Sequence, residues 1–339
     1  MKTALSPFEL KDQLIALAEQ AENHDMLNAG RGNPNFLAMY PRQAFIRMGE
    51  FAMEESGRSY AYLYGGFGGA SQKQGIGSRF DEFLVRNKAL PGTLLLRAAF
   101  SYMSDQLGLD YEATVFEFCE AWLGCNYPVP PRMLAGVERV VREYLVKEMY
   151  AGRMDKSGFD LFATEGGTAA MTYIFQTLKA NRLLHAGDKV AIVTPIFTPY
   201  LEIPALPDYE LQIVRLGVDE DAHWQLPDDA IAQLEDPDVK VLFVVNPSNP
   251  PSVKMSSHVL ESIAELVRTK RPDLMVLTDD VYGTFADGFV SLAAMVPANT
   301  LLVYSFSKYF GATGWRLGAI GLAHEKDRKS TRLNSSHYS

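Results

Sequence analysis

The spacing of apolar positions along the chain changes character near residue 159. Ahead of it, Phe8, Leu10, Leu14, Ile15, Leu17 and Ala18 recur at three- and four-residue intervals behind a Ser6-Pro7 start signal, which predicts an amphipathic helix over 8–20. The same period predicts helices over 43–56, 76–88, 93–107 and 111–123, and the stripe Met133, Leu134, Val137, Val140, Val141, Tyr144, Leu145, Met149 predicts one more. Between the last two, the proline-rich segment 126–131 breaks the helical pattern and reads as a boundary. Beyond Phe159 the apolar residues come in short continuous runs. Leu161–Thr164, Val190–Thr194, Leu211–Leu216, Val239–Val245, Leu274–Thr278 and Leu301–Tyr304 predict strands apolar on both faces, with helices between them over 168–184, 228–235 and 256–270. The expected fold class is therefore α/β, a mainly parallel sheet between helices, preceded by a helical region. Such sheets bind ligands at the carboxyl ends of their strands.

Composition narrows the function classes. With 339 residues, 47% of them hydrophobic and 22% charged, the chain can fold around a large core, in two lobes. No run of eighteen apolar residues occurs and Met1–Pro7 lacks the apolar centre of a signal peptide, so no membrane partner and a cytoplasmic location are expected. A net charge of -9 argues against nucleic acid, which needs clustered Lys and Arg. Cys119 and Cys125 have no partners at zinc spacing and are expected to be reduced and buried; the six histidines form no HxxxH or HExxH pair and no G-x-S-x-G is present, so no metal is expected and zinc and serine hydrolases fall away. Residues 326–339 have almost no apolar content and read as a disordered or non-native tail.

The predicted strand ends carry the chemistry. Thr164-Glu165-Gly166-Gly167-Thr168 ends one strand and opens a helix, so backbone N–H groups, the helix dipole and the Thr168 hydroxyl can converge on an anion. Phe197 lies between Pro195 and Pro199 after the next strand, either as a core ring or as one that stacks on a flat heteroaromatic. Asn246 stands in the rigid turn Asn246-Pro247-Ser248-Asn249-Pro250-Pro251. Asp279 and Asp280 end the following strand, and Asp279 is three residues ahead of Tyr282. Ser305-Phe306-Ser307-Lys308 follows the last predicted strand and Arg316 comes eight residues after the lysine. A lysine in a partly dry site can lose its proton and attack carbonyls to form a Schiff base, while two hydroxyls and a guanidinium suit a dianionic phosphate. An ordinary turn lysine has the same local sequence. Earlier in the chain, Arg31 is flanked by glycines in a loop of turn formers, open either to a carboxylate or simply to solvent.

These motifs, in this order, resemble those of pyridoxal-phosphate enzymes of the aspartate aminotransferase type, over roughly residues 160–320. The resemblance implies a fold-type I large domain and pyridoxal 5'-phosphate as cofactor. It implies that Lys308 is the cofactor lysine, that Gly166, Gly167, Thr168, Ser305, Ser307 and Arg316 hold the phosphate, and that Phe197 covers the pyridine ring. Asp279 would pair with the ring nitrogen, and Asn246 and Tyr282 would lie beside the phenolic oxygen. Lys308, Asp279 and Tyr282 are the expected catalytic residues.

Ala29-Gly30-Arg31-Gly32-Asn33-Pro34-Asn35, the helical insert ending at Asn126-Tyr127-Pro128, and Thr164–Thr168 together resemble the aspartate 4-decarboxylase branch. That implies L-aspartate as substrate, alanine and carbon dioxide as products, side aminotransferase activity, and Lys11, Arg31 and Tyr127 near the substrate carboxylates. It also implies a homodimer or higher homo-oligomer. The expected organisation is an N-terminal arm with part of a small domain (1–57), an aromatic and glycine-rich loop with the helical insert (58–130), the cofactor-binding large domain (131–325) and the tail. Family members continue after the lysine motif with a small domain that supplies an α-carboxylate arginine. Only 31 residues follow Lys308 here, so an incomplete small domain and an inactive fragment are expected. An aminotransferase or another lyase on the same fold, or an inactive cofactor-binding fragment, are the alternatives.

Overall fold

The computed structural model describes residues 7–20, 34–60, 64–125, 132–152 and 159–323. By internal contacts the chain forms two compact units, Phe36–Leu145 and the remainder.

The first unit is helical: α2 (Met39–Ser59), α3 (Ile76–Arg86), α4 (Thr93–Asp105) and α5 (Tyr111–Leu123), with α1 (Pro7–Glu19) ahead of it in the chain. Its core is aromatic. Phe51, Phe80, Phe83 and Phe100 are fully buried, with ring centroids 4.8 Å apart for both Phe51–Phe80 and Phe80–Phe100. Each such burial contributes about 1.5–3 kcal/mol. The Asp110 carboxylate caps α5 by accepting from the Ala113 N–H at 2.7 Å, and Gly124 in the left-handed conformation ends it. Glu55, almost fully buried, accepts from Arg79 Nε and Nη2 at 2.8 and 2.6 Å, and Arg79 also donates to the Gln72 and Gln74 carbonyls. The loop before α3 is thereby tied to α2. Cys119 is buried in this core as expected, but Cys125 is exposed, because it follows the Gly124 helix end where the chain turns outward.

The second unit holds a seven-stranded sheet in the order β1-β7-β6-β5-β4-β2-β3, with β1 (Phe159–Thr164), β2 (Lys189–Thr194), β3 (Gln212–Gly217), β4 (Val239–Val245), β5 (Met275–Asp279), β6 (Thr300–Ser305) and β7 (Gly318–Ala323). All pairings are parallel except those of β7, which runs antiparallel to both β1 and β6. Six strands therefore end at one edge. The six strands expected from apolar runs are present within two residues. β7 is not an expected strand, since Gly318-Ala319-Ile320-Gly321-Leu322-Ala323 lacks a continuous branched run, and a Cβ on Gly321 would lie 2.3 Å from the Phe159 ring.

Alternate side chains of β4 point to opposite layers. Val241, Phe243 and Val245 pack with Met171, Ile174 and Phe175 of α7 (Gly167–Ala180), and Leu242 and Val244 pack with Val259, Ile263 and Val267 of α10 (Ser257–Thr269). This is the alternation that places helices on both faces of a sheet. α6 (Ala135–Met149) precedes β1; the short helices α8 (Pro199–Glu202), α9 (Asp228–Ala232) and α11 (Leu292–Met295) lie between strands. α7 stops at Ala180, short of the expected 184, where Asn181 caps it and Arg182 turns left-handed. Among the described residues no helix is long and apolar enough to cross a membrane.

Candidate active site

A cavity of 580 Å³ opens over the common edge where β1, β2, β4, β5 and β6 end. Strand geometry explains why residues far apart in sequence meet there. Gly167 and Thr168 follow β1, Phe197 and Tyr200 follow β2, Asn249 follows β4, Asp279 ends β5, and Ser305, Ser307 and Lys308 end or follow β6.

One side of the cavity is built for an anion. α7 begins at Gly167, so its first N–H groups lack helical partners and carry the positive end of the dipole. Gly166 has φ +94°, and a Cβ there would lie 2.5 Å from Arg316 Nη2. The guanidinium thus approaches the turn closely only because position 166 is glycine. Arg316 is itself left-handed (φ +53°) and donates from Nη1 to the Thr313 carbonyl at 2.8 Å, which fixes the fork. The buried Ser305 and Ser307 hydroxyl oxygens are 2.9 Å apart beside it.

The deep end is acidic and dry. Asp279 is 4% exposed. Its Oδ2 accepts from the Tyr200 hydroxyl at 2.5 Å and its Oδ1 from the Val281 N–H at 3.0 Å. Burial pushes this carboxyl above the usual carboxylate range, while the Tyr200 hydroxyl, the Val281 N–H and the Lys308 charge pull the other way. Tyr200 is held by its short proline-started helix and by rings on two sides, Phe243 at 5.0 Å and Phe197 at 5.3 Å edge-on. Phe197 lines the cavity and is more than a third exposed.

Between the two ends stands Lys308, half-buried. Burial lowers its pKa, Asp279 opposes that, and Arg316 adds to it. A lowered pKa increases the neutral, nucleophilic fraction of the amine. Tyr282 reaches the same space, and its hydroxyl accepts from Asn249 Nδ2 at 3.2 Å.

A model of the class I and II aminotransferase family matches residues 156–338, more than half of the chain. The chain belongs to that family. Among curated relatives it is 56% identical over 321 residues to a bifunctional aspartate aminotransferase and L-aspartate beta-decarboxylase of a Pseudomonas species, covering 95% of this chain and 60% of that protein. Among solved structures, a Pyrococcus protein matches with TM-score 0.58 and 21% identity, over 95% of this chain and 61% of that one. An alanine aminotransferase from Pyrococcus furiosus matches with TM-score 0.53 and 22% identity, over 63% and 52%. The chain thus spans about 60% or less of the length of these relatives. The two structural matches carry the fold, and the aminotransferase fold type is the one described above.

Against this aminotransferase frame, the cavity brings together Gly167, Thr168, Phe197, Asp279, Tyr282, Ser305, Ser307, Lys308 and Arg316, with Gly166 directly behind Arg316. It does not bring in Asn246. That side chain is buried and its Oδ1 accepts from the Met255 N–H at 2.9 Å, so the amide is committed to the turn. The asparagine in the cavity is Asn249, three residues on in the same Asn-Pro repeat. Tyr200 was not among the expected residues either; its signal is the position three after Phe197, directly behind the Pro199 that starts the short helix. Arg31 and Tyr127 lie outside the described residues, as does the Lys11 side chain, although Lys11 falls within α1.

Proposed function

We propose that this chain carries the pyridoxal 5'-phosphate site of an enzyme that converts L-aspartate to L-alanine and carbon dioxide, with side aminotransferase activity. The observation that supports the cofactor is the pairing, in one 580 Å³ cavity, of a half-buried lysine with a buried carboxylate at one end and an anion cradle at the other. The residues present fit the group. The glycine-lined turn, Thr168, Ser305, Ser307 and Arg316 suit a phosphate, and a Cβ at Gly166 would fill part of that cradle.

In this reading Lys308 would attach the cofactor and move the substrate's α-proton, and burial shifts its amine toward the neutral form. Asp279 accepts the ring N–H; a cation there relieves the burial that raises its pKa. Tyr200 orients that carboxylate, Tyr282 and Asn249 would hold the cofactor's phenolic oxygen, and Phe197 would cover its ring. When bound, the protonated pyridine supplies an electron sink for the bond broken at the substrate. Lys11, Arg31 and Tyr127, assigned from sequence alone, are proposed for the substrate carboxylates. Loss of the β-carboxylate rather than hydrolysis requires that water be kept out while the carbon–carbon bond breaks.

The choice of aspartate and of β-decarboxylation rests on the relative that shares 56% identity over 95% of this chain. Transamination alone is the second reading, favoured by the other relatives, such as an aspartate/prephenate aminotransferase of Nitrosomonas europaea at 29% identity. A homo-oligomer is proposed on the family resemblance. Borohydride treatment with pyridoxal phosphate should fix the cofactor to Lys308, as read by peptide mapping, and Lys308→Ala should abolish the adduct. Whatever turnover the chain supports with aspartate should yield alanine in excess of oxaloacetate. An adduct retained in Lys308→Ala would refute the site, and oxaloacetate alone would favour the second reading.

A further inference from the structure

The acidic end of the cavity holds two consecutive carboxyls, and only Asp279 faces the space. Asp280 is fully buried, and its backbone N–H donates to the Val303 carbonyl of β6, which turns its side chain behind the sheet edge. There Oδ1 accepts from the Thr278 hydroxyl, while Oδ2 is buried, facing the Ser291 hydroxyl without a hydrogen bond of good geometry. Among the described residues no Lys, Arg or His makes an ion pair with it. The titratable groups that act on it are acid or neutral: Asp279 on its own strand, and the buried Tyr150 just past α6. The Ser291 hydroxyl faces it too, and already accepts from the Ala293 N–H at 2.9 Å as the cap of α11.

The two neighbours are therefore unequal. Asp279 has a phenol at 2.5 Å, a backbone N–H at 3.0 Å and a lysine charge to stabilise its anion. Asp280 has alcohol hydroxyls only, and a buried unpaired carboxylate is costly enough that such a group takes up a proton instead. Where two carboxyls this close share one environment, their surroundings decide which keeps the proton.

We propose that Asp280 is a positioning residue for Asp279: it is carried as a neutral carboxylic acid, its proton on the otherwise unpartnered Oδ2 and directed to Ser291, so that Asp279 remains the single anion facing the cavity. The arrangement is consistent within itself. A protonated Oδ2 becomes a donor and the Ser291 oxygen an acceptor, so the orphaned atom gains a partner and the cap of α11 is retained. Burial pushes the Asp280 carboxyl up to about 7; the Ser291 and Thr278 hydroxyls oppose this and the Asp279 charge adds to it. The inference rests on the cofactor reading only for what the Asp279 anion faces, and its test needs no cofactor.

The test is infrared titration of the cofactor-free protein from pH 5 to 9, following the carbonyl stretch of protonated carboxyls. The wild type should show a buried-acid band that disappears with a midpoint near neutrality. Asp280→Asn should lack it. Asp279→Asn should keep it with a lower midpoint, because a neighbouring negative charge is gone, and Thr278→Val should move the midpoint up, because a donor to the anion is gone. Denaturant unfolding gives a second readout. The folded pKa is raised above the unfolded one, so between about 3.9 and that raised value the unfolded chain ionises while the folded chain keeps its proton, and stability falls as pH rises, about tenfold in the folding constant per pH unit. Between pH 5 and 7 the wild type should lose about fiftyfold relative to Asp280→Asn, the slope easing as the folded group itself begins to ionise. Should that variant fail to fold, the wild-type band and its shifts in the other two variants decide. Absence of the band below pH 7, its loss in Asp279→Asn, or an unchanged pH slope in a folded Asp280→Asn would overturn the assignment. Parallel absorbance titration with pyridoxal phosphate separates the two readings, since failure to bind cofactor with the band intact removes the proposed function and leaves the proton on Asp280.

Discussion

Replacing Tyr200 by Phe removes one hydroxyl and nothing else from the cavity floor. The ring keeps its neighbours Phe243 and Phe197, so no space opens and the packing term is close to zero. What is lost is the donor to Asp279 Oδ2, whose 2.5 Å length lies in the range of charge-assisted O–H···O⁻ bonds. A hydrogen bond to a charged group contributes about 1.5–3 kcal/mol, and both partners here are buried, so the loss should fall within that range where Asp279 is ionised. Its size depends on pH. The hydroxyl pulls the Asp279 pKa down against burial, so in Tyr200→Phe that pKa rises further. At pH 8 the variant should be less stable by about 2 kcal/mol. As pH falls and Asp279 takes up its proton in both proteins, the gap should narrow. Urea unfolding of the cofactor-free proteins along a descending pH series from pH 8 measures it, and cofactor affinity at pH 8 should drop about ten- to a hundredfold in the variant if Asp279 meets the ring nitrogen as an anion. A loss that narrows nowhere along the series would mean that Tyr200 is only a core ring, and no loss at pH 8 would refute the bond.

Two substitutions separate neighbouring positions. Gly166→Ala should cost about 1–2 kcal/mol from the left-handed backbone alone and displace the Arg316 guanidinium, weakening phosphate or cofactor binding as read by titration calorimetry; unchanged binding would remove Arg316 from the cradle. Asn246→Ala should destabilise by about 1–3 kcal/mol in thermal unfolding, since it leaves the Met255 N–H without its acceptor, whereas Asn249→Ala should leave stability within about 0.5 kcal/mol and instead alter the cofactor's absorbance; the reverse pattern would restore Asn246 to the site.

Most of the sheet and most of the site were legible in the sequence, for one reason. A strand covered on both faces must be apolar throughout, so β2, β4 and β6 announce themselves as runs, and their ends are where polar residues first become affordable. β7 was hidden because its place between Phe159 and the Gly166 turn demands glycine where a strand pattern expects branched side chains. Asn246 and Asn249 repeat the same dipeptide, and only the three-dimensional turn decides which amide is used up by the Met255 N–H and which faces the cavity. Nothing local marks Tyr200, because its partner lies 79 residues away. The separate roles of Asp279 and Asp280 follow from which of them β6 turns inward, which spacing to Tyr282 alone could only suggest.

The position of β7 also sets the order in which the cavity can mature. Gly318 pairs across with Thr164 on one side and with Ser305 on the other, so β1, the first strand to be synthesised, has no place in the sheet until the last described strand exists. The Gly166 and Arg316 halves of the anion cradle are separated by 150 positions of chain. At ribosomal rates of about 5–20 residues per second, β1 and the Gly166 turn wait roughly 8–30 s for their partner strand. During that interval β2, β4, β5 and β6 can pair in parallel while the edge that will receive β7 stays open, so a chaperone or an early anion has no finished cradle to recognise. Binding competence requires β7 to pair with both β6 and β1, which is what brings the two halves of the cradle together.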